Sequence, residues 1–260
     1  MRKETKLGIV SPINSEAYPG ATKNFIEKIF GEIPQGFSPT IYVPVSNVRQ
    51  EGFVQSLMDI GTQEDRLKIL DFGTPDKRGL AYAYLGGMKQ AILDKVETVV
   101  EIDANGAHDP AEIREFLNVI NTGRDAALST RFSLGGKSKY PIQRIAISYF
   151  GTVTANLMLN LGGWVSDMTS GYEAFDAVSL NRVLSLKPIE NWVSVVYGPG
   201  HFIQTELRSR GIISTKWNYA MVPIIHGVER NEEPQKLKLK TVLKAFTSLI
   251  KLRKDLNNSH

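Results

Sequence analysis

The sequence predicts an α/β fold, a mostly parallel and doubly wound central sheet with helices on its faces. Two observations carry the prediction. Between Leu7 and Phe132, short apolar, β-branched runs alternate with longer segments of helical spacing, the order that builds parallel strands joined by crossover helices. One run, "VETVVEID", breaks abruptly into "ANGAHDP" before a helix restarts. Polar groups beyond a strand's carboxyl end are where such sheets hold ligands. Composition agrees: 42% of the 260 residues are hydrophobic and 22% charged, ordinary for a soluble globular domain. The absence of cysteine excludes disulfides and thiolate metal sites. No apolar run approaches the roughly 20 residues of a membrane span, and no signal peptide is visible; a cytoplasmic protein is expected. The net charge of +4 suits an anionic ligand (a nucleotide, a nucleic acid or a lipid phosphate) without requiring one.

In order, "KLGIVSPI" reads as a first strand, followed by a helix over residues 21–30. "TIYVPVS" and "LKILDFG" read as the second and third strands, and residues 79–93 carry helical spacing. "VETVVEID" is the fourth, its apolar, β-branched content that of a buried strand. "PAEIREFLNVINTG" is a helix with Pro in its first turn and Gly past its end. "DAALSTRF" is the fifth strand. Beyond residue 132 the alternation stops. "PIQRIAISYFGTVTANLMLNL" is one long helical pattern that can put Tyr149, Val153, Asn156 and Leu157 on one face. "SDMTSGYEAF" is a polar turn leading into a strand or helix, "HFIQTELRSRG" a helix ending at Gly211, and "TKWNYAMVPIIH" a late strand. Between Lys236 and Leu256 lysines alternate with Leu237, Leu239, Val242, Leu243, Phe246, Leu249, Ile250 and Leu252. That is a basic amphipathic helix, suited to a lipid interface, to its own domain or to a second subunit.

The chemistry starts at "DANGAHDP". Asp103 and Asn105, one residue apart at a strand end, can hold a divalent cation, and Mg2+ or Mn2+ would bridge such oxygens to a diphosphate. The same residues can simply close an Asx-turn. His108 is a third ligand or a helix-start cap. "SLGGKSKYP", residues 133–141, is a Gly-rich basic loop that can close over a ligand or lie as a surface turn. "GGKSK" lacks the spacing of an ATPase phosphate loop.

Several segments together resemble the family-two glycosyltransferases of the dolichyl-phosphate mannosyltransferase type. "DANGAHDP" is similar to that family's Asp-Ala-Asp segment followed by His and Pro. "GLAYAYLGG" resembles its Gly-x-Ala helix start, "STRF" its Ser-Arg-aromatic strand end and "YPIQRIAIS" its Arg-x-x-x-Ser helix, with Arg144 and Ser148. "DMTSGYEAF" is close to its Asp-x-Thr-Ser-Gly-aromatic segment, and "VPIIHGVER" to its late Val-Pro-Ile strand. The likeness runs from about residue 5 to about residue 240. It implies a Rossmann-like nucleotide-diphospho-sugar transferase (GT-A) fold, with a catalytic domain over residues 1–235 and the basic helix and tail over residues 236–260. It implies a metal-assisted, inverting transfer from a nucleotide-diphosphate sugar, with Mg2+ or Mn2+ on Asp103 and Asn105. Donor and phosphate contacts would come from Pro12, Glu16, Ser46, Arg78, Gly79, Arg131, Arg144, Arg230 and Lys236. Acceptor contacts would come from Ser170, Gly171 and Tyr172.

The departures are specific. Asn105 stands where the family has an acid, "PINSE" keeps only Pro12 and Glu16 of the usual first-strand ending, and "VPVSN" has Ser46 and Asn47 where paired acids hold the nucleoside. The family's base and ribose contacts therefore do not carry over. For a hydroxyl acceptor a carboxylate must take a proton. Asp167, in the most family-like segment, is the first choice, its alternative being a turn-forming Asp. Glu206 is the second, its alternative being an ordinary helix acid. A phosphate acceptor needs no base. The acceptor is then a polyprenyl phosphate at a membrane face, met by a peripheral enzyme, or a soluble polymer, either a glycan or modified DNA. The C-terminal helix would serve membrane contact or a homo-oligomer. A non-catalytic nucleotide-sugar or glycan-binding module on the same fold is the rival class.

Overall fold

The protein is described by a computed structural model covering residues 4–13, 19–45, 55, 59, 65–72, 79–104, 106–227 and 239–258. Its main sheet contains β1 (Thr5–Val10), β2 (Phe37–Val45), β3 (Leu67–Asp71), β4 (Thr98–Glu101), β5 (Ala126–Thr130), β7 (Glu173–Asp176) and β8 (Tyr219–Pro223), in the order β3-β2-β1-β4-β7-β5-β8. β6 (Lys137–Ser138) and β9 (Ile225–His226) pair in parallel beside it. The helices are α1 (Pro19–Glu32), α2 (Gly79–Leu93), α3 (Ile113–Asn121), α4 (Ile142–Leu159), α5 (Ala177–Leu184), α6 (Val193–Val196), α7 (Ile203–Ser214) and α8 (Leu239–Asn257).

Neighbouring strands are parallel except at β7, which runs antiparallel to both β4 and β5. The chain leaves β5 at the sheet's carboxyl end, passes through α4, and enters β7 at that same end, so Glu173 pairs with Glu101. Without a crossover to the far edge, antiparallel pairing is the only outcome.

Each face of the sheet buries its own core. Leu7 and Ile9 of β1 meet Ile26 and Ile29 of α1 and Phe116 and Ile120 of α3. Val10, one pleat over, faces the other side with Tyr84 and Met88 of α2, Leu180 of α5 and Leu207 of α7.

Two expectations need correction. The helix expected to stop at Gly211 continues to Ser214. Gly211 is needed for space, because a Cβ there would come within 2.1 Å of the Trp217 ring. On α4 the buried residues are Thr152, Ala155, Asn156 and Leu159, whereas Tyr149 and Leu157 are exposed. Asn156 turns inward because its amide bridges the Thr152 carbonyl and the backbone of Val165. From residue 239 onward the basic helix packs on its own domain, one of the settings open to it: Leu249, Leu252 and Leu256 join the core that holds Leu207 of α7. Asp255 receives Lys187 and Arg210.

Candidate active site

β4 ends at Glu101, Ile102 continues its pairing by donating to Val10, and Asp103 follows at the carboxyl end of the sheet. The fully buried Tyr84 of α2 donates its hydroxyl to Asp103 Oδ1. Burial and the charges of Asp103 and Glu101 push the Tyr84 phenol far above its ordinary range, so it remains a donor. Asp103 N–H donates to His108 Nδ1 at 3.4 Å, and that nitrogen lies 4.0 Å from Asp103 Oδ2. His108 is buried between the rings of Tyr172 and His226, and burial lowers its pKa, keeping it neutral. Its Nε2 has no hydrogen-bond partner. His108 also borders the cavity described next.

A cavity of about 560 Å³ opens beside Asp103. Tyr84, Arg131, Arg144, Ser170, His201 and Gln204 supply its polar border. Much of the remaining lining is apolar, from Ile147, Phe150 and Ala155 of α4 and Val242, Phe246 and Leu249 of α8. Among the described residues bordering it, Asp103 is the only carboxylate. Arg144 also lies 4.1 Å above the Tyr140 ring.

Asp167 does not present itself as a base. It is fully buried, and Arg131 grips both its oxygens, Nε to Oδ2 at 2.7 Å and Nη2 to Oδ1 at 2.9 Å. The Arg131 backbone N–H and the Thr169 N–H add further bonds to the same carboxylate. Burial alone would raise this carboxyl, but the Arg131 charge and hydrogen bonds outweigh it and hold the pKa below the usual range. Arg131 is in turn committed to Asp167 and Thr169 while bordering the cavity.

Glu206 is likewise structural. Fully buried on α7, it accepts the backbone N–H groups of Val193 and Ser194 at the start of α6 and pairs with Arg210 at 2.6 Å. A carboxylate there caps the short helix's free donors.

Tyr172 faces the core. It stacks on Phe116 at 4.4 Å and donates to the Asp109 carbonyl. Ser170 and Gly171 do border the cavity. Gly171 does not have the positive φ expected of a tight turn; it is small because a Cβ would come within 2.8 Å of Gln204. Pro12 follows β1 and Gly79 opens α2 with φ 73°, at the sheet's carboxyl end but not on the cavity border. Glu16, Ser46, Arg78, Asn105, Arg230 and Lys236 lie outside the described residues.

Several neighbours of the site escaped the sequence reading. Glu101 and Glu173 face each other across β4 and β7, both fully buried. Burial and the nearby Glu173 charge push the Glu101 carboxyl well up, and Gln204 donates to it at 2.7 Å. Buried Arg208 pairs with Glu173 and reaches the carbonyls of Asp167 and Ser170. It thereby holds the "DMTSG" turn against the sheet.

Among the described residues no group of three or more His, Asp or Glu could hold a metal. Oδ1 accepts from Tyr84, and the Asp103 side chain, 31% exposed, borders the cavity. Such a donor set fits a cation shared with a diphosphate and falls short of one enclosed by protein ligands alone.

No family model matches the chain. Among curated proteins, it is 29% identical over 159 residues to polyprenol monophosphomannose synthase of Mycolicibacterium smegmatis, covering 55% of this chain and 58% of that one. It is 34% identical over 116 residues to undecaprenyl-phosphate mannosyltransferase of Micrococcus luteus, covering 44% and 46%. It is 28% identical over 179 residues to dolichol-phosphate mannosyltransferase of Pyrococcus furiosus, covering 68% and 46%. These matches span about half the length of each relative. Among solved structures, glucosyl-3-phosphoglycerate synthase of Mycobacterium tuberculosis with Mn2+, UDP and glucosyl-3-phosphoglycerate superposes with a TM-score of 0.62 at 15% identity, covering 96% of this chain and 80% of that one. The same enzyme with Mn2+, UDP-glucose and phosphoglyceric acid gives 0.61 at 15%, again covering 96% and 80%. The chain thus has the GT-A fold and is similar in sequence to polyprenyl-phosphate mannosyltransferases.

Proposed function

We propose that the chain is a glycosyltransferase that moves a sugar from a nucleotide-diphosphate sugar to a polyprenyl phosphate. The observation carrying this reading is the lone carboxylate. Asp103 is the only acid among the described residues bordering the cavity, and both candidate bases are locked in buried ion pairs. A hydroxyl acceptor would need a base within hydrogen-bond reach, whereas a phosphate arrives already ionised. The apolar lining between α4 and α8 suits a prenyl chain, and Arg144 on the same border suits its phosphate. The relatives' names supply the class of acceptor and point to mannose.

In this reading Asp103 faces the donor diphosphate. A divalent cation bound there would neutralise charge growing on the leaving diphosphate, consistent with the Mn2+ in the superposed synthase. Tyr84 holds Asp103, and Arg208 holds the turn carrying Ser170 and Gly171. No helix among the described residues is long and apolar enough to cross a membrane.

The test is transfer from a panel of nucleotide sugars to undecaprenyl phosphate, undecaprenol, a glycan and hydroxylated DNA. Product is expected with the phosphate only. Transfer to undecaprenol or to either polymer would overturn the acceptor assignment. Donor binding with neither transfer nor hydrolysis would favour the non-catalytic module.

A further inference from the structure

Asp103 is held by a residue that the sequence did not single out. Tyr84 sits near the middle of α2, and its ring is packed in the core with Leu85 and Met88. Helical periodicity fully accounts for that ring, but not for its hydroxyl. A buried phenol requires a partner, and this one's partner is Oδ1 of Asp103. The backbone side of the same residue is fixed as well, since Asp103 N–H points to His108 Nδ1.

The consequence is geometric. Asp103 has two oxygens, and Oδ1 is the one that accepts from Tyr84. The other, Oδ2, lies on a side chain 31% exposed at the cavity. The neighbouring position in the sequence is the neutral Asn105. A hard divalent cation wants about six oxygens, and among the described residues this border offers it a single carboxylate. We propose that Tyr84 is a positioning residue that fixes Asp103 as a one-oxygen anchor, so that the cation is held only together with the donor's diphosphate. This rests on the transferase reading of the site.

Hydrogen-bonded supports of metal-binding side chains commonly contribute ten- to a hundredfold in affinity. Cation and diphosphate that share ligands must also tighten each other reciprocally. Tyr84→Phe is the appropriate variant, because it keeps the ring in the core and removes only the hydroxyl.

The experiment follows Mn2+ by its paramagnetic resonance and nucleoside diphosphates (GDP and UDP) by calorimetry, in the full chain. In the parent protein Mn2+ alone should not saturate at millimolar concentration, and should bind at least ~10-fold tighter once GDP or UDP is present. In Tyr84→Phe the Mn2+-dependent part of nucleotide affinity should fall by ~10-fold or more. Nucleotide affinity measured without cation should not move, which separates positioning from a general loss of structure. A thermal melt establishes that the variant is folded; should it not be, Asp103→Asn in the same assay must abolish the gain that Mn2+ gives. Tight Mn2+ binding without nucleotide, or an unchanged cation-dependent affinity in folded Tyr84→Phe, would overturn the proposal while leaving the transferase reading intact. No nucleotide binding under any condition would overturn the reading itself, and the proposal with it.

Discussion

Arg131 decides what Asp167 can do. Its guanidinium takes both carboxylate oxygens in a pair from which water is almost wholly excluded. Asp167→Asn would leave a buried cation half-partnered, a change that costs about 3–5 kcal/mol, a large share of a domain's total stability. Urea denaturation should show that loss. A variant with unchanged stability but turnover reduced about a hundredfold would instead restore Asp167 as a base. Acidity gives a second measure, because two carboxyls bend the stability profile in opposite directions. Arg131 holds Asp167 below the ordinary 3.8, so its contribution is present above that value and is lost as pH falls through the depressed pKa. Glu112 is raised from 4.5 to about 7, first by burial and then by Asp109, against the bond it accepts from Ile225 N–H. Its contribution is present below about 4.5 and is lost as pH rises through about 7. Glu112→Gln keeps an acceptor for Ile225 and should flatten that falling limb in melts between those two pH values. A limb of the same slope in the variant would assign it to another group.

At the scale of elements, legibility followed periodicity. β1 to β5 were readable as apolar runs, and α2 and α3 as helical spacing whose apolar residues meet the sheet. β7 was not readable as antiparallel, because direction is set by which end of the sheet the chain re-enters. Gly211 misled because glycine marks both helix ends and close contacts, and here Trp217 occupies the space. The site divided in the same way. Asp103 was visible as a polar break after an apolar strand, while Tyr84 was indistinguishable from core, its partner lying 19 positions away. Asp167 and Glu206 were visible as acids, but the arginines that occupy them come from other elements or from one helical turn away. α8 is the element whose role changes most. Its Leu252 is fully buried and its Asp255 binds Arg210, itself the partner of Glu206. Leu252→Ala should therefore cost about 2–5 kcal/mol in chemical denaturation. A cost near zero would return α8 to the status of a detachable tail.

At the scale of the molecule, the sheet and α8 divide the cavity's work. The sheet's carboxyl end brings Asp103 and, through the loops, Arg131 and Ser170; α4 and α8 bring an apolar border. Phe150 is 68% exposed and Phe246 47% exposed although both border the cavity. Large apolar side chains left open at a cavity suit an occupant that is itself apolar. The two ends of such an acceptor can then be tested apart. Covering one Phe side chain contributes about 1.5–3 kcal/mol, so Phe246→Asp should raise the KM for a long polyprenyl phosphate by roughly tenfold or more. Donor affinity should stay as it is, because Phe246 borders the apolar side and not Asp103's hydrogen bonds. A short, water-soluble prenyl phosphate that cannot reach α8 should show little change in the same variant. Equal losses for long and short acceptors would place Phe246 in the fold rather than along the lipid. An unchanged KM for the long acceptor would mean that the prenyl chain leaves the cavity by another path.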